Sequence, residues 1–507
     1  MTDKQIQSAK VRGQSPQKAN ILAARIIAQT IQTTLGPKGM DKVLVDSQNN
    51  IIITNDGATI LRELAVDHPV ARMMIEIAQT QEEQVGDGTT TAVILAGELL
   101  KYAQELLDKG IHPTIISQGY RIGAKEAIDY LRTHARQATR SQIESVAKTA
   151  MTGKGAQTYR DHLSSLCTKA LPSKDVIVQT RKVVGNDTFS SELFDGVVLD
   201  KFKVHPNMPD QVTNAKVAFL DCALEVTGLD SRARINIANA NDLEQFVAHE
   251  KQTLTRAVEQ IKQANVTAVF CMKGIDQYVQ HLLAKQGILA IRRMSLKDMS
   301  TLSQLCGARI VNSTQDLDEQ TVGTIQSIQT KTQKETTLTY LSGFEKHTVK
   351  TLVVHGTTPH IVDEMERAID DALGDIYTLL KNPHVLAGAG ATESMLAKHI
   401  RQYARTLVGK EQLAVEAFAR SFEIIPTIIA QNAGLDAIEV MTKLAHKDWV
   451  GVNVETGAVL DPYEQGIIEP LQLKIQAITG ATDVATMILR IDDIIFSSPP
   501  PQDSSQD

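Results

Sequence analysis

The sequence has few of the residues that stabilise disulfide-rich or zinc-dependent folds. Its 507 residues include only four cysteines, none of them in a CxxC pair, and aromatic residues make up 4% of the chain. Disulfide frameworks and structural zinc sites depend on closely spaced cysteines or on paired cysteine and histidine ligands. The sequence indicates neither, so we expect Cys167, Cys222, Cys271 and Cys306 to be buried thiols in a reducing compartment.

Long charged runs and long apolar runs are also missing. The net charge is −7 and no five consecutive residues are basic, which argues against nucleic acid or an anionic membrane as a partner. No window reaches the roughly 18 apolar residues that a membrane helix needs. The N-terminal MTDKQIQSAKVRGQ lacks the apolar core of a signal peptide. We therefore expect a cytoplasmic protein.

Several common catalytic patterns are absent. The chain contains no GxxxxGK[ST] loop, no GxGxxG after a predicted strand, no HExxH pair and no GxSxG segment. These patterns mark the common nucleotide folds, zinc hydrolases and serine hydrolases, respectively. A catalytic metal bound by histidines is therefore not expected, and phosphate binding must be sought elsewhere.

Four short segments contain most of the glycine-and-acid chemistry: LGPKGMDK at 35–42, NDGATI at 55–60, VGDGTTTA at 85–92 and AGAGATE at 387–393. Glycine-rich turns at helix N-termini bind phosphate through backbone N–H groups, and the helix end adds partial positive charge. Each glycine turn alone fits an ordinary turn better than a phosphate site, whereas the segments together, with threonines that supply hydroxyl donors, favour phosphate binding. Nearly three hundred residues separate the third from the fourth. If the four form one site, the chain leaves its nucleotide-binding domain and later returns to it.

The apolar periodicity predicts mainly helices at the two ends of the chain. A helix is expected from Ser15 with Pro16 at its first position, then a hairpin over 42–56, then helices before and after 86–88. Beyond about residue 143 the pattern changes to strands and shorter helices, and it is helical again over 357–380 and 398–448. Two or three domains fit this length, and the tail from about 497 is predicted to be disordered.

Three acids are candidates for phosphate chemistry. Asp87, between two glycines, suits a magnesium ligand, although capping the next helix is an equal alternative. Asp56, at a predicted strand end, and Asp371 are candidates for positioning an attacking water. No local rule favours Asp371 over its neighbour Asp370.

Five blocks together resemble the group II chaperonins, the family of the thermosome and its eukaryotic cytosolic relatives. They are TTLGPKGMDKVLVDSQNNIIITNDGATIL, QEEQVGDGTTTAVILAGELL, VFCMKGIDQYVQHLLAKQGILAIRRM, IIPTIIAQNAGLD and GVNVETGAVLDPYEQGIIEPLQLK. The resemblance runs from about Arg12 to Ile495. It implies an ATP-dependent chaperone that encloses non-native proteins in stacked rings of this chain or paralogous subunits and refolds them by ATP hydrolysis.

The resemblance also implies a multidomain α+β fold. The expected parts are a mostly helical equatorial ATP-binding domain at 1–142 and 398–507, a small α/β intermediate hinge domain at 143–208 and 358–397, and an α/β apical domain at 209–357. The segment SRARINIANANDLEQFVAHE occupies the place of a helical protrusion that acts as a built-in lid. No separate lid co-chaperonin is then expected.

Individual residues match the family's nucleotide site. Asp56 and Asp371 match its two water-positioning acids, which would decide between Asp370 and Asp371, and Asp87 matches its magnesium ligand. The remaining matches, implied to contact nucleotide, are Thr34, Leu35, Gly36, Pro37, Gly88, Thr89, Thr90, Thr91, Lys154, Gly388, Ala389, Gly390, Asn453 and Glu464. Lys154 matches a lysine that senses the terminal phosphate, and the expected cofactors are ATP and Mg²⁺.

Two positions depart from the family pattern. The usual GGGA reads GAGA, which puts Ala389 at a backbone approach to the nucleotide, and a Pro/Ser/Asp tail replaces the usual Gly/Met-rich one. A chaperonin-like scaffold that binds without efficient ATP turnover is therefore one alternative. A small-molecule kinase is another, although no acceptor pocket is indicated.

Overall fold

The computed structural model describes residues 16–45, 49, 51–64, 66, 68–173, 175–225, 240–333, 336–344 and 348–492. It divides into two compact units. Unit 1 comprises 1–168 and 358–507, and unit 2 is the continuous segment 169–357. The chain therefore leaves unit 1 and returns to it. The three-domain division stays a prediction, because only these two units are distinguished.

Unit 1 is mostly helical in its described part. Its helices before unit 2 are α1 (Pro16–Gln32), α2 (Gly57–Glu63), α3 (Pro69–Val85), α4 (Thr89–Asp108), α5 (Pro113–His134), α6 (Arg140–Ala150) and α7 (Arg160–Ala170), which ends just inside unit 2. Those after it are α11 (Pro359–Lys381), α12 (Ala391–Ala404), α13 (Lys410–Ser421), α14 (Ile424–Asn432), α15 (Ala437–His446) and α16 (Leu471–Leu489).

Helix α4 lies at the centre of the unit 1 core. It packs against α1, α3, α13 and α16, and most of its side chains are buried, including Val93, Leu95 and Leu99. A helix that is apolar on nearly all sides can be stable only inside such a bundle. Since α16 comes from the far end of the chain, the two chain segments share one core.

Short strands complete unit 1. They are β1 (Lys42–Val45), β2 (Ile51–Thr54), β3 (Arg136–Gln137), β14 (His384–Ala387), β15 (Gly451–Val452), β16 (Val459–Leu460) and β17 (Ile468–Pro470). β1 and β2 form the predicted antiparallel hairpin. In the sheet β17-β14-β3, Ala387 pairs with Ile468. This sheet holds AGAGATE beside the chain that leads into α16.

Unit 2 is an α/β unit with its own core. Its strands are β4 (Ile177–Val184), β5 (Glu192–Phe194), β6 (Val197–Leu199), β7 (Gln211–Leu220), β8 (Ala268–Cys271), β9 (Leu289–Ile291), β10 (Ile310–Val311), β11 (Gly323–Gln333), β12 (Thr336–Ser342) and β13 (Val349–Gly356). The larger sheet has the order β6-β12-β11-β7-β8-β9, with β10 on β7, and the smaller is β4-β13-β5. Its helices are α8 (Ala240–Gln263), α9 (Gln277–Lys285) and α10 (Leu296–Cys306).

Some expectations are corrected or not addressed. All four cysteines are free thiols, but only Cys167 and Cys271 are buried, whereas Cys222 and Cys306 are partly exposed. Within the described ranges, no helix combines the length and apolar character required to cross a membrane. Most of the expected lid segment before residue 240, and the tail from 493, lie outside the described residues.

Candidate functional site

A cavity of about 560 Å³ in unit 1 contains most of the predicted site residues. Those that line it are Thr34, Leu35, Gly36, Pro37, Asp56, Asp87, Gly88, Thr89, Thr90, Thr91, Lys154, Ala389, Gly390 and Asn453. Asp371, Gly388 and Glu464 are not among the lining residues. All four glycine-and-acid segments therefore reach one cavity, despite their separation in sequence.

The first loop, after α1, is fixed by hydrogen bonds from two side chains. The Thr34 hydroxyl donates to the Ile31 carbonyl at 2.9 Å, which closes the end of α1. The Asn432 amide donates to the carbonyls of Gln32 and Leu35, at 3.0 and 2.8 Å. The loop after α1 is thus held from α14 as well as from its own helix.

Two helix N-termini open on the cavity without a side-chain cap. Gly88 precedes α4 with φ 80°, and Gly390 precedes α12 with φ 76°. No side chain of the described residues caps either N-terminus. The first N–H groups of a helix have no intrahelical acceptor, so uncapped ends of this kind suit phosphate oxygens. Gly88, and not Asp87, occupies the N-cap position of α4. The alternative prediction, that Asp87 caps this helix, is therefore wrong.

Asp56 has a structural role that the sequence analysis did not predict. Its carboxylate caps α2 by accepting from the N–H groups of Ala58 and Thr59, the latter at 2.7 Å. The Thr89 hydroxyl lies 3.4 Å from the same carboxylate and donates to it. These hydrogen bonds hold the Asp56 carboxylate against the start of α4, at the wall of the cavity.

Lys154 lies between two of the acids. Its ammonium forms an ion pair with Asp371 and is 3.8 Å from the Asp87 carboxylate. Burial alone would lower the pKa of Lys154, but the charges of Asp371 and Asp87 outweigh it and raise the pKa. Lys154 is therefore cationic and joins α11 to the loop before α4.

The backbone next to Lys154 lies against the first loop. The Asn55 amide donates to the Gly153 carbonyl at 2.6 Å. A Cβ atom at Gly153, whose φ is +80°, would lie 2.4 Å from the Gly36 carbonyl oxygen. Only glycine tolerates both this φ and this approach. This close contact between Gly153 and Gly36 places the next residue, Lys154, at the cavity.

The structure separates Asp371 from Asp370. The Asp371 side chain is 16% exposed and pairs with Lys154, whereas Asp370, one residue earlier on α11, is exposed. Asp371 therefore faces the cavity residues although it does not line the cavity. Its role in positioning water stays a prediction.

Three predicted contacts are less direct. The Gly388 N–H donates to the Ile467 carbonyl at 2.9 Å. The Glu464 N–H donates to the Asp461 carboxylate. Asn453 lines the cavity, but its side-chain oxygen accepts from the N–H groups of Glu455 and Thr456. The roles of Glu464 and Gly388 at the nucleotide stay predictions that this geometry does not favour.

A buried triad in the cavity wall was missed by the sequence analysis. The Lys474 ammonium lies 2.6 Å from Glu393 and also pairs with Glu469, and the side chains of Lys474 and Glu393 are 7% and 5% exposed. Burial lowers the pKa of Lys474, but the two carboxylates outweigh it, so the lysine is charged. Lys474 is the last residue of the fifth block that resembles the family, and Glu393 is the last residue of AGAGATE. No chemical role had been assigned to either residue.

Asp375 was missed as well. It lines the cavity from α11, is 2% exposed, and its Oδ1 atom has no hydrogen-bond partner in the described part of the chain. Burial, and after it the charge of Asp87, raises the pKa of Asp375 well above its usual range. A sequence pattern cannot find such a residue, because a helical aspartate is ordinarily solvated.

The cavity is lined by both acidic and basic side chains, which suits an anion that binds together with a metal cation. Its described lining includes six carboxylates, of Asp56, Asp87, Asp375, Glu393, Glu455 and Glu469, and three cationic side chains, of Lys154, Arg160 and Lys474. In the described part of the chain, no three Asp, Glu, His or Cys side chains form a ready metal site. Magnesium that accompanies a nucleotide needs only one or two carboxylates, because phosphate oxygens and water complete its shell. The residues therefore fit Mg²⁺ with a nucleotide.

Ala389 adopts a left-handed backbone conformation, with φ 53°. Its carbonyl accepts from the Val452 N–H at 2.9 Å, and a Cβ atom at Gly451 would lie 2.7 Å from the Ala389 methyl. For L-residues this conformation costs about 1–2 kcal/mol, a cost that glycine avoids. The family departure at this position is thus a site of local strain.

Ala389→Gly is expected to stabilise the nucleotide-free protein by about 1 kcal/mol, because the strain relieved exceeds the added freedom of the unfolded chain. The urea midpoint measures this change. Ala391→Gly, two residues later at the first residue of α12, is the matched control and is expected to be destabilising, because a buried methyl group is lost and glycine adds freedom to the unfolded chain. A lower midpoint for Ala389→Gly would contradict the assignment of strain.

Comparison with known proteins gives one consistent result. Residues 27–499 match the model of the TCP-1/cpn60 chaperonin family. The chain is 43% identical over 502 residues to a thermosome subunit of Methanopyrus kandleri, covering 95% of this chain and 92% of the relative. It is 44% identical over 504 residues to the thermosome subunit beta of Methanothermobacter thermautotrophicus, covering 97% and 94%.

The thermosome subunit beta of Archaeoglobus fulgidus is also 44% identical, over 502 residues that cover 95% of this chain and 92% of the relative. The matches extend through unit 1 and unit 2 alike, so the family resemblance and the multidomain α+β fold expected from it are confirmed. The chain belongs to the TCP-1/cpn60 chaperonin family and, within it, is a group II chaperonin.

Proposed function

We propose that this chain is an ATP-driven chaperone that encloses non-native proteins in a double ring with a built-in lid. The observation that carries the proposal is the convergence of two uncapped helix N-termini with Asp87, Asp56 and the Lys154–Asp371 pair at one cavity. Relatives named as thermosome subunits alpha and beta support assembly with itself or with paralogous subunits. Cytoplasmic location stays part of the proposal.

The residues have separate roles in the proposed reaction. The N–H groups at the starts of α4 and α12 bind phosphate oxygens, and Asp87 holds the cation. Bound Mg²⁺ would neutralise charge on the phosphates. Asp56 and Asp371 orient the attacking water and accept its proton. Lys154 stays cationic beside the terminal phosphate and links it to α11.

The role of Asp371 would connect hydrolysis to movement. Asp371 is on α11, in the predicted hinge domain, whereas Asp56 and Asp87 flank α2 and α4. A reaction that needs both groups proceeds only while α11 is docked on the nucleotide loops, so lid closure and chemistry are coupled. Exposed apolar surface of a non-native protein is the expected binding target.

The purified chain is expected to hydrolyse ATP with Mg²⁺, to form a megadalton-scale ring, and to raise the yield of a refolding protein. Asp87→Asn is expected to form the same ring with hydrolysis reduced at least about 100-fold, because an isosteric amide holds the cation weakly. Hydrolysis assays, mass measurement and particle images test this. A ring without hydrolysis would favour the scaffold alternative, and a small active enzyme would favour a kinase.

A further inference from the structure

Asp375 is a buried acid that forms no ion pair with any residue that the structure describes. Within the described residues, both lysines of the cavity are already paired: Lys154 with Asp371 and Asp87, and Lys474 with Glu393 and Glu469. The Asp375 side chain lines the cavity, and its Oδ1 atom has no hydrogen-bond partner among the residues described. A buried carboxyl group without a partner loses hydration and gains nothing in return. A cation that enters the cavity would compensate the charged form of Asp375.

The helix α11 brings Asp375 to the Asp87 loop. Asp371, Asp375 and Thr378 are spaced by four and three residues, so they share one face of α11. The Thr378 hydroxyl on this face donates to the carbonyl of Val85, two residues before Asp87, at 3.2 Å. The face with Asp375 therefore lies against the loop that precedes α4.

Two glycines allow this approach. A Cβ atom at Gly86 would lie 2.7 Å from the Gly374 Cα atom, and one at Gly374 would lie 2.8 Å from the Gly86 Cα atom. The backbones next to Asp87 and Asp375 are thus in direct contact, with no side chain between them. Asp87 is accordingly the charge that acts most strongly on Asp375.

We propose that Asp375 is a second carboxylate ligand, with Asp87, for the divalent cation that enters with the nucleotide. This inference rests on the proposed nucleotide function. Two carboxylates on adjoining backbones match what Mg²⁺ takes from proteins, with phosphate oxygens and water in its other positions. The cation would also supply the positive charge that Asp375 lacks in the protein alone.

The test measures Mn²⁺ binding by electron paramagnetic resonance at saturating ADP. Asp375→Asn keeps the shape of the side chain and is expected to weaken Mn²⁺ binding about 10- to 100-fold. Asp87→Asn is expected to weaken it at least as much. Asp129→Asn, at an exposed acid of α5 whose side chain is 56% exposed, is the control and should have no effect.

A second readout uses the protein without cation or nucleotide. Asp375→Val replaces the unpaired carboxyl group with an apolar group of similar size, so its urea midpoint is expected to equal or exceed that of the parent. A purely structural role for Asp375 predicts a lower midpoint instead. The two variants together therefore test whether Asp375 binds the cation and whether its unpaired carboxyl group lowers the stability of the protein without the cation.

Three outcomes would overturn the proposal. Unchanged Mn²⁺ affinity in Asp375→Asn, with weak binding in Asp87→Asn, would reject Asp375 as a ligand and leave the proposed function intact. Weaker ADP binding by Asp375→Asn in EDTA would indicate direct contact with the nucleotide instead. Failure of the parent protein to bind Mn²⁺ with ADP would reject both this inference and the proposed function.

Discussion

Asp371→Asn is expected to lower the rate of ATP hydrolysis by about 10²- to 10⁴-fold, the usual contribution of a positioned general base. ATP binding should be nearly unchanged, because Asp371 does not line the cavity and Lys154 keeps Asp87 as a second anionic neighbour at 3.8 Å. Single-turnover hydrolysis and equilibrium binding of a non-hydrolysable ATP analogue measure the two effects separately.

Asp370→Asn is the matched control, since it makes the same chemical change one residue away on the exposed face of α11. Its hydrolysis rate should stay within a factor of about 2 of the parent, as expected for an exposed substitution. Undiminished turnover in Asp371→Asn would reject its role with water. A loss confined to ATP affinity would instead mean that Asp371 only holds Lys154 in place.

Lys474→Met is expected to destabilise the nucleotide-free protein by about 3–5 kcal/mol, because breaking a buried ion pair leaves uncompensated charge. Here both Glu393 and Glu469 would lose their cation, and one Glu393 oxygen already has no partner within the described ranges. The effect should appear as a large fall in the urea midpoint of unit 1, followed by circular dichroism.

Lys398→Met is the control for the loss of a lysine. Lys398 pairs with Asp448 at 3.0 Å, but the Asp448 side chain is 73% exposed, so a change below about 1 kcal/mol is expected. Adding Glu393→Gln and Glu469→Gln to Lys474→Met should recover much of the lost stability, since neutral amides need no counter-charge. Equal midpoints for Lys474→Met and Lys398→Met would mean that the triad contributes little.

The sequence predicted the helical parts of the fold well where apolar periodicity is strong. Helices α1, α3 and α4 and the hairpin β1–β2 lie where the pattern indicated. Strands β11 (Gly323–Gln333) and β12 (Thr336–Ser342) were not predicted. Their threonine- and glutamine-rich sequences resemble a loop, and their strand conformation depends on pairing with β7 and β6.

The candidate site was predictable only in part. Glycine loops such as those at Gly36 and Gly88 have local signatures, because φ and the start of a helix are properties of neighbouring residues. The burial of an acidic side chain has no local signature, because it depends on residues that are distant in sequence and pack against it. Asp370 and Asp371 are equivalent by local rules, and Asp375 gives no signal until α11 is seen against the Asp87 loop.

The shared core of unit 1 also sets an order of events during translation. At about 5–20 residues per second, about 20 to 90 s pass between synthesis of Gly36 and that of Lys474, which line the same cavity. Unit 2 is continuous and can complete its core in that interval, while the faces of α1, α3 and α4 that meet α16 are still uncovered. Each new copy of this chaperone is therefore, until α16 emerges, a non-native chain of the kind that chaperones bind.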